Sequence, residues 1–233
     1  MSEQLGLYAR IEAVDGAGKS LQIEMLKQDS EKMGIDTVFV REPGGTPVGD
    51  ELRSIVLGHE SKDLSPEAEA LIFTASRQLL FEKVTLPALA KDKLVVSDRG
   101  IESTVNYQTA SGKMNRETIM ELSRLVLHER CIRPDILAVL AITKETQRRR
   151  LGERFKDEAP DGMESRGDTF LDRVFNEYQK TAQLDYATVI DGNGTPEEVH
   201  EQLVPVIFGE YMRRHSGIYL PTDTRYSERN TAS

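Results

Sequence analysis

The stretch Ala13-Val14-Asp15-Gly16-Ala17-Gly18-Lys19-Ser20 sets two glycines, a lysine and a hydroxyl at the spacing of a phosphate-binding loop, G-x-x-x-x-G-K-[ST]. Gly16 and Gly18 let backbone N–H groups turn inward at phosphate oxygens beside a helix N-terminus. In such a loop Lys19 reaches the outer phosphates and the Ser20 hydroxyl ligates Mg²⁺. Ala13 stands where the motif has glycine. It costs about 1–2 kcal/mol if that position needs a positive φ, and little if φ is negative. A nucleoside triphosphate site is the chemistry implied. A second charged pair, Asp98-Arg99, closes the apolar run Leu94-Val95-Val96-Ser97. An acid at the C-terminal end of a strand lies where parallel sheets place their ligand crevice, so Asp98 could hold Mg²⁺ through water and Arg99 could meet a phosphate. Read alone, the pair could instead be a structural ion pair, the less favoured of the two readings. Phe73 and Arg77 stand one helical turn apart, an aromatic plane and a donor able to stack on a base and bond its edge. A GTPase would carry an N/T-K-x-D motif after a late strand; Thr143-Lys144-Glu145-Thr146 has Thr146 where Asp is required.

These residues need elements to hold them. Apolar runs at Leu7–Val14, Thr37–Arg41, Lys93–Ser97, Asp135–Ile142 and Ala187–Asp191 lack a clean period of two, as strands covered on both faces do. Helical patterns lie between them. One starts at Pro66 and repeats Ala68, Leu71, Ile72, Ala75 and Leu79 as its core stripe, leaving Phe73 and Arg77 on another face. A second, from Arg116 to His128, offers Ile119, Leu122 and Val126. Alternating strands and helices predict right-handed crossovers, hence an α/β protein of the P-loop NTPase type, three layers α/β/α around a central five-stranded parallel sheet. One domain over 1–215 is expected, with an arginine-bearing lid at about 144–168 and a flexible polar tail over 216–233.

Composition narrows the partners. The 233 residues are 38% hydrophobic and 30% charged, with a net charge of −9. A chain this acidic is a poor binder of polymeric nucleic acid, whose affinity rests on cationic footprints. Yet 19 of the 30 basic residues are Arg, the side chain that grips phosphate bidentately, so local anion sites remain open. Cys131 is the only cysteine, which excludes an internal disulfide and suits a reducing compartment. The longest clean apolar run, Ile136 to Ile142, is far below the roughly 20 residues that span a bilayer, and the charged first twenty residues do not read as a signal peptide. A cytoplasmic protein without membrane attachment is expected.

Several blocks resemble the thymidylate kinase family: Tyr8 to Gln22, Arg41-Glu42-Pro43-Gly44-Gly45-Thr46 with Gly49 and Arg53, Phe73-Thr74-Ala75-Ser76-Arg77, Asp98-Arg99, Ser103-Thr104-x-x-Tyr107-Gln108, Pro134-Asp135 and Val189-Ile190-Asp191. They occur in order and at family spacing over residues 5–208. The resemblance implies the reaction ATP + dTMP → ADP + dTDP with Mg²⁺, and a homodimer. It implies that Phe73 stacks on thymine, Arg77 donates to the base O4 edge, and Thr104 and Gln108 complete base recognition beside Ser103. Tyr107 would lie against the sugar and disfavour a 2′-hydroxyl, Glu42 near the sugar hydroxyl, and Arg53 and Arg99 on the acceptor phosphate. Asp15 would lie near that phosphate and the metal shell. Ala17 and the cluster Arg148–Arg154 resemble the bacterial type, in which lid arginines are catalytic, here Arg150 and Arg154 with Arg149 third. The chain departs from the family pattern at Ala13, at Leu21, at Gly100 where an aromatic is usual, at Asn106, and in the lid string Asp161-Gly162-Met163-Glu164, which lacks the usual arginine.

Overall fold

Five strands alternate with helices along the chain: β1 (Tyr8–Ala13), α1 (Lys19–Met33), β2 (Thr37–Arg41), α2 (Pro47–Leu57), α3 (Pro66–Leu80), α4 (Leu86–Leu89), β3 (Leu94–Asp98), α5 (Ile101–Ala110), α6 (Arg116–Val126), α7 (Glu129–Ile132), β4 (Ile136–Ala141), α8 (Lys144–Arg154), α9 (Asp168–Thr181), β5 (Ala187–Asp191), α10 (Pro196–Val204) and α11 (Glu210–Ser216). The computed structural model describes residues 6–58, 63–157 and 159–216. The expected flexible tail, apart from Ser216 at the end of α11, lies outside the described residues. The strands form one parallel sheet in the order β2-β3-β1-β4-β5. β2 and β5 have the expected bounds, and the other three differ from expectation by one residue at each end.

All six residues of β1 are buried. Side chains alternate across a strand. Ala9, Ile11 and Ala13 join the larger apolar cluster with Ile23 and Leu26 of α1 and Leu203 of α10. Tyr8 joins the smaller one with Leu80, Phe81, Ile101 and Ile119. The same alternation puts Arg10 and Glu12 on the Tyr8 side, both with no exposed surface. The order of the sheet brings the C-terminal ends of β2, β3 and β1 side by side, so Glu42, Asp98 and the phosphate loop meet at one edge.

Local signals set several helix starts. Pro66 opens α3 and the Ser65 hydroxyl accepts from the Ala68 N–H at 3.2 Å. Thr143 caps α8 by accepting from Thr146 N–H at 3.2 Å, which gives the Thr143–Thr146 string a helix-starting role. The expected core stripe of α3 is corrected: Leu71 is 54% exposed and Ala75 is exposed, whereas Glu69, Ala70, Thr74, Ser76 and Arg77 are buried. The reason is that the inner face of α3 borders a polar cavity and carries buried ion pairs, so it is the polar side that turns inward. In α6, Ile119 is buried as expected, but Val126 is 50% exposed and Ser123 takes the inner face.

Candidate active site

The loop after β1 wraps as its glycines require. Gly16 and Gly18 have φ of 84° and 87°, a region that costs residues with a Cβ. Gly18 is the N-cap of α1, and no side chain caps that helix, so the first-turn N–H groups are left for an anion. Ala13 is the last residue of β1, pairs with Leu140 of β4 and is not among the positive-φ positions. Alanine there carries no conformational cost, and its carbonyl accepts from Arg99 Nη1 at 3.3 Å. The Lys19 ammonium pairs with Asp98. Burial, together with the neighbouring Arg99, lowers the Lys19 ammonium below its ordinary value despite Asp98. Ser20 is exposed on the same side.

A cavity of about 370 Å³ opens beside the loop, walled by Asp15, Lys19 and Ser20, by Glu42 and Arg53, by Phe73 and Arg77 of α3, and by Asp98, Arg99, Ser103, Thr104 and Tyr107. Arg77 is fixed by three bonds: Nε to Glu42 at 2.5 Å, and Nη2 to the Gly100 carbonyl at 2.8 Å and to Thr104 Oγ1 at 3.0 Å. Its Nη1 is buried without a protein partner, and Arg77 shares the cavity wall with Phe73. Glu42 therefore orients Arg77, and Arg53 is steadied by the Pro43 carbonyl at 2.9 Å. Gln108, one turn beyond Thr104, is fully buried and outside the cavity lining, with both amide atoms unpartnered.

Arg99 sits at φ 73°, a left-handed conformation that costs about 1 kcal/mol or more outside glycine. That turn swings its guanidinium back over the loop, where it pairs with Asp15 and donates to Ser103 Oγ at 3.1 Å and Tyr178 OH at 2.9 Å. Tyr107 OH donates to the other Asp15 oxygen. Burial works to raise the Asp15 carboxyl, but Arg99, Tyr107 and Lys19 outweigh it and hold it below the usual range. Beneath them Glu12 accepts from the Gly100 and Ser103 N–H groups at 2.7 and 3.1 Å, and from the Ser103 and Tyr178 hydroxyls. Burial and the nearby Glu102 push the Glu12 carboxyl up to about 7.

That shift has a sign. A carboxyl whose folded value is raised from 4.5 to about 7 favours the folded state in its protonated form. The contribution, about 3 kcal/mol, is present below its unfolded value and is lost as pH rises through about 7. Glu12→Gln keeps an accepting oxygen for the Gly100 and Ser103 N–H groups, turns an amide NH2 toward the Ser103 and Tyr178 hydroxyls, and removes the titration. Urea unfolding from pH 5 to 8 is expected to show the parent losing stability relative to the variant as pH rises; parallel curves would refute this.

Comparison with known proteins supplies the remaining observation. The thymidylate kinase family profile matches residues 11–203. The chain belongs to the thymidylate kinase family. A thymidylate kinase of Chlorobaculum parvum is 35% identical over 204 residues, 84% of this chain and 93% of that one. One of Neisseria gonorrhoeae is 36% identical over 210 residues, 88% and 97% of the two chains. The crystal structure of thymidylate kinase from Ehrlichia chaffeensis superposes with a TM-score of 0.67 at 26% identity, covering 87% of this chain and 98% of that one.

In this member of the thymidylate kinase family the two candidate lid arginines part company. Arg154 lines the cavity and pairs with Glu164, which with Asp161 and Met163 closes the cavity's far wall. The segment between α8 and α9 is tied to α2 and α3 by Gly162 N–H to the Leu57 carbonyl at 3.3 Å and by the Arg166–Glu69 ion pair. Arg150 lies one turn back along α8 and grips backbone instead: Nη1 donates to the Gly192 carbonyl at 2.9 Å and to Ala17 at 3.3 Å, and Nη2 to Gly194 at 3.0 Å. It lines a second cavity with Arg149, Ala17, Gly18, Leu21 and Pro196, on the other side of the phosphate loop. The separation follows from α8 crossing the loop, where Leu151 and the Gln147 carbonyl lie within van der Waals reach of a Cβ placed on Gly16. Sequence reasoning missed Glu12 and Tyr178. A carboxylate inside the fully buried strand β1 was the one signal for the former.

Proposed function

We propose that this protein transfers the γ-phosphoryl group of ATP to dTMP, with dTMP in the cavity between α3 and α5 and ATP on the phosphate loop. The observation that carries the acceptor assignment is that Phe73, Arg77, Arg53 and Arg99 line one cavity and that Arg77 keeps one buried donor, Nη1, without a protein partner. A pyrimidine carbonyl satisfies the donor, and a phosphate satisfies the arginines. Tyr107, held by Asp15, lines the same cavity, and in this reading it lies against the sugar and disfavours a 2′-hydroxyl.

Among the described residues no group of three His, Cys, Asp or Glu side chains forms a metal cage. The Ser20 hydroxyl and the Asp98 carboxylate both face the cavity beside the loop. One hydroxyl and one carboxylate suit Mg²⁺, which keeps several waters and takes its other ligands from substrate phosphates. When bound there, Mg²⁺ neutralises charge on the donor phosphates.

The chain's own residues do the positioning. Loop N–H groups and Lys19 hold the donor, Arg53 and Arg99 bring the acceptor phosphate in line, and Arg154 meets the charge that spreads over the moving phosphoryl group. No general base is required, because the attacking phosphate oxygen is already ionised near neutral pH. The lid segment from Ala159 to Glu164 closes the wall against water, which would otherwise hydrolyse ATP. The second cavity, beside Arg149 and Arg150, takes the nucleoside end of ATP.

Steady-state kinetics with dTMP, dUMP, dCMP and thymidine test this reading. The highest kcat/KM is expected for dTMP; turnover of thymidine without turnover of dTMP overturns the proposal. Phe73→Ala is expected to raise the dTMP KM at least tenfold while the ATP KM stays within twofold, and equal effects on both would remove Phe73 from the base site.

A homodimer and a cytoplasmic location belong to the same proposal. Val48 and Ile55 of α2, Leu71 of α3, and Leu125 and Val126 of α6 are 50–82% exposed apolar side chains on adjoining helices, a face suited to a second copy. Among the described residues no helix is long and apolar enough to cross a membrane.

A further inference from the structure

Arg10 occupies the middle of the central strand with no exposed surface. Its Nη1 donates to Glu102 Oε2 and its Nη2 to the Cys131 carbonyl, each at 2.5 Å, and its Cζ lies 5.5 Å from the centroid of the Tyr8 ring. Nε has no partner, and neither has the second Glu102 oxygen. A buried ion pair left incompletely bonded is weak evidence for stability, since an apolar residue of similar volume would commonly serve as well. The position of Arg10 points to another role.

Gly100 supplies it. Its φ is −173°, extended backbone open to any residue, so glycine is not needed there for conformation. It is needed for space: a Cβ on Gly100 would lie 2.2 Å from Arg10 Nε, 2.4 Å from Cδ and 2.7 Å from Cζ. The Arg10 side chain fills the volume that a side chain at position 100 would take. The backbone it lies against carries the acceptor site. Gly100 N–H donates to Glu12 at 2.7 Å, the Gly100 carbonyl receives Arg77 Nη2 at 2.8 Å, and the preceding residue is Arg99 in its left-handed turn.

We propose that Arg10 and Gly100 are a matched pair of positioning residues: the buried guanidinium sets the height of the 99–100 backbone, and through it the placement of Arg77 at the base and Arg99 at the acceptor phosphate. Glu102 and the Cys131 carbonyl hold Arg10 in place. Neither member of the pair lines the donor side of the phosphate loop, so their effect falls on the acceptor nucleotide.

The inference rests on the acceptor cavity being the dTMP site, and a double-mutant comparison separates the two. Gly100→Ala is made in the parent and in an Arg10→Ala/Glu102→Gln background, where the volume is vacated and Glu102 is left neutral. In the parent, Gly100→Ala is expected to raise the dTMP KM at least tenfold with the ATP KM within twofold. In the vacated background the same change is expected to alter the dTMP KM less than twofold. Equal costs in both backgrounds, or equal effects on the two substrates, overturn the pairing. Should Gly100→Ala yield no folded protein by circular dichroism, Arg10→Lys serves instead. It keeps the charge on Glu102 and gives up the bond to Cys131, so a three- to tenfold rise in the dTMP KM is expected and an unchanged value overturns the proposal. If the parent does not phosphorylate dTMP at all, the functional reading itself has failed; an active parent with additive variants refutes only the pair.

Discussion

Lys19→Ala is expected to abolish dTDP formation, lowering kcat by about a thousandfold or more, equivalent to roughly 4 kcal/mol of transition-state stabilisation. The residue is 8% exposed and its ammonium sits between Asp98 and the mouth of the cavity, where a dry, fixed charge acts on the moving phosphoryl group far more strongly than a solvated one. Alanine also leaves Asp98 without its counter-charge at the point where phosphate must enter. A coupled assay of ADP release, with circular dichroism to confirm folding, reads the outcome, and activity within tenfold of the parent would refute the assignment. Ala13→Gly provides the contrast. Because Ala13 already sits in an ordinary strand conformation, glycine relieves no strain there, and a change in rate below tenfold is expected.

The second large effect is expected at Arg154. Arg154→Ala should lower kcat at least a hundredfold with little change in the KM of either substrate, the pattern of an interaction made only in the transition state. The side chain reaches the cavity beside the lid acids and is oriented by Glu164. Burial lifts the Glu164 carboxyl above its usual range, against the pull of Arg154. Arg150→Ala should act differently. Its guanidinium holds the Ala17, Gly192 and Gly194 carbonyls around the second cavity, so its loss is expected to raise the ATP KM several-fold while kcat falls less than tenfold. Reversal of the two patterns would exchange their roles.

Much of this site could be read along the chain because its motifs are local. The phosphate loop, the strand ends bearing Asp98 and Glu42, and the bounds of β2 and β5 depend on residues close in sequence, where glycine geometry and apolar runs speak for themselves. α3 was harder. Its apolar residues point to one core face, but the cavity demands another, because the buried Glu69 and Arg77 find partners in Arg166, Glu42 and Gly100 that are distant along the chain. A periodicity argument assumes that the inward face is apolar, and that assumption fails where a helix lines a polar site.

The sequence by itself determined the fold class, the family, the phosphate-loop motif and most of the side chains that line the larger cavity, since each follows from local chemistry or from strings of residues in order. Only the tertiary structure decided which lid arginine faces that cavity, that Glu42 serves Arg77, and that Gly100 is small because Arg10 is there. The last two relate residues 35 and 90 positions apart, and the first depends on how α8 crosses the loop. Contacts of that kind are fixed by three-dimensional packing, and no spacing along the chain records them.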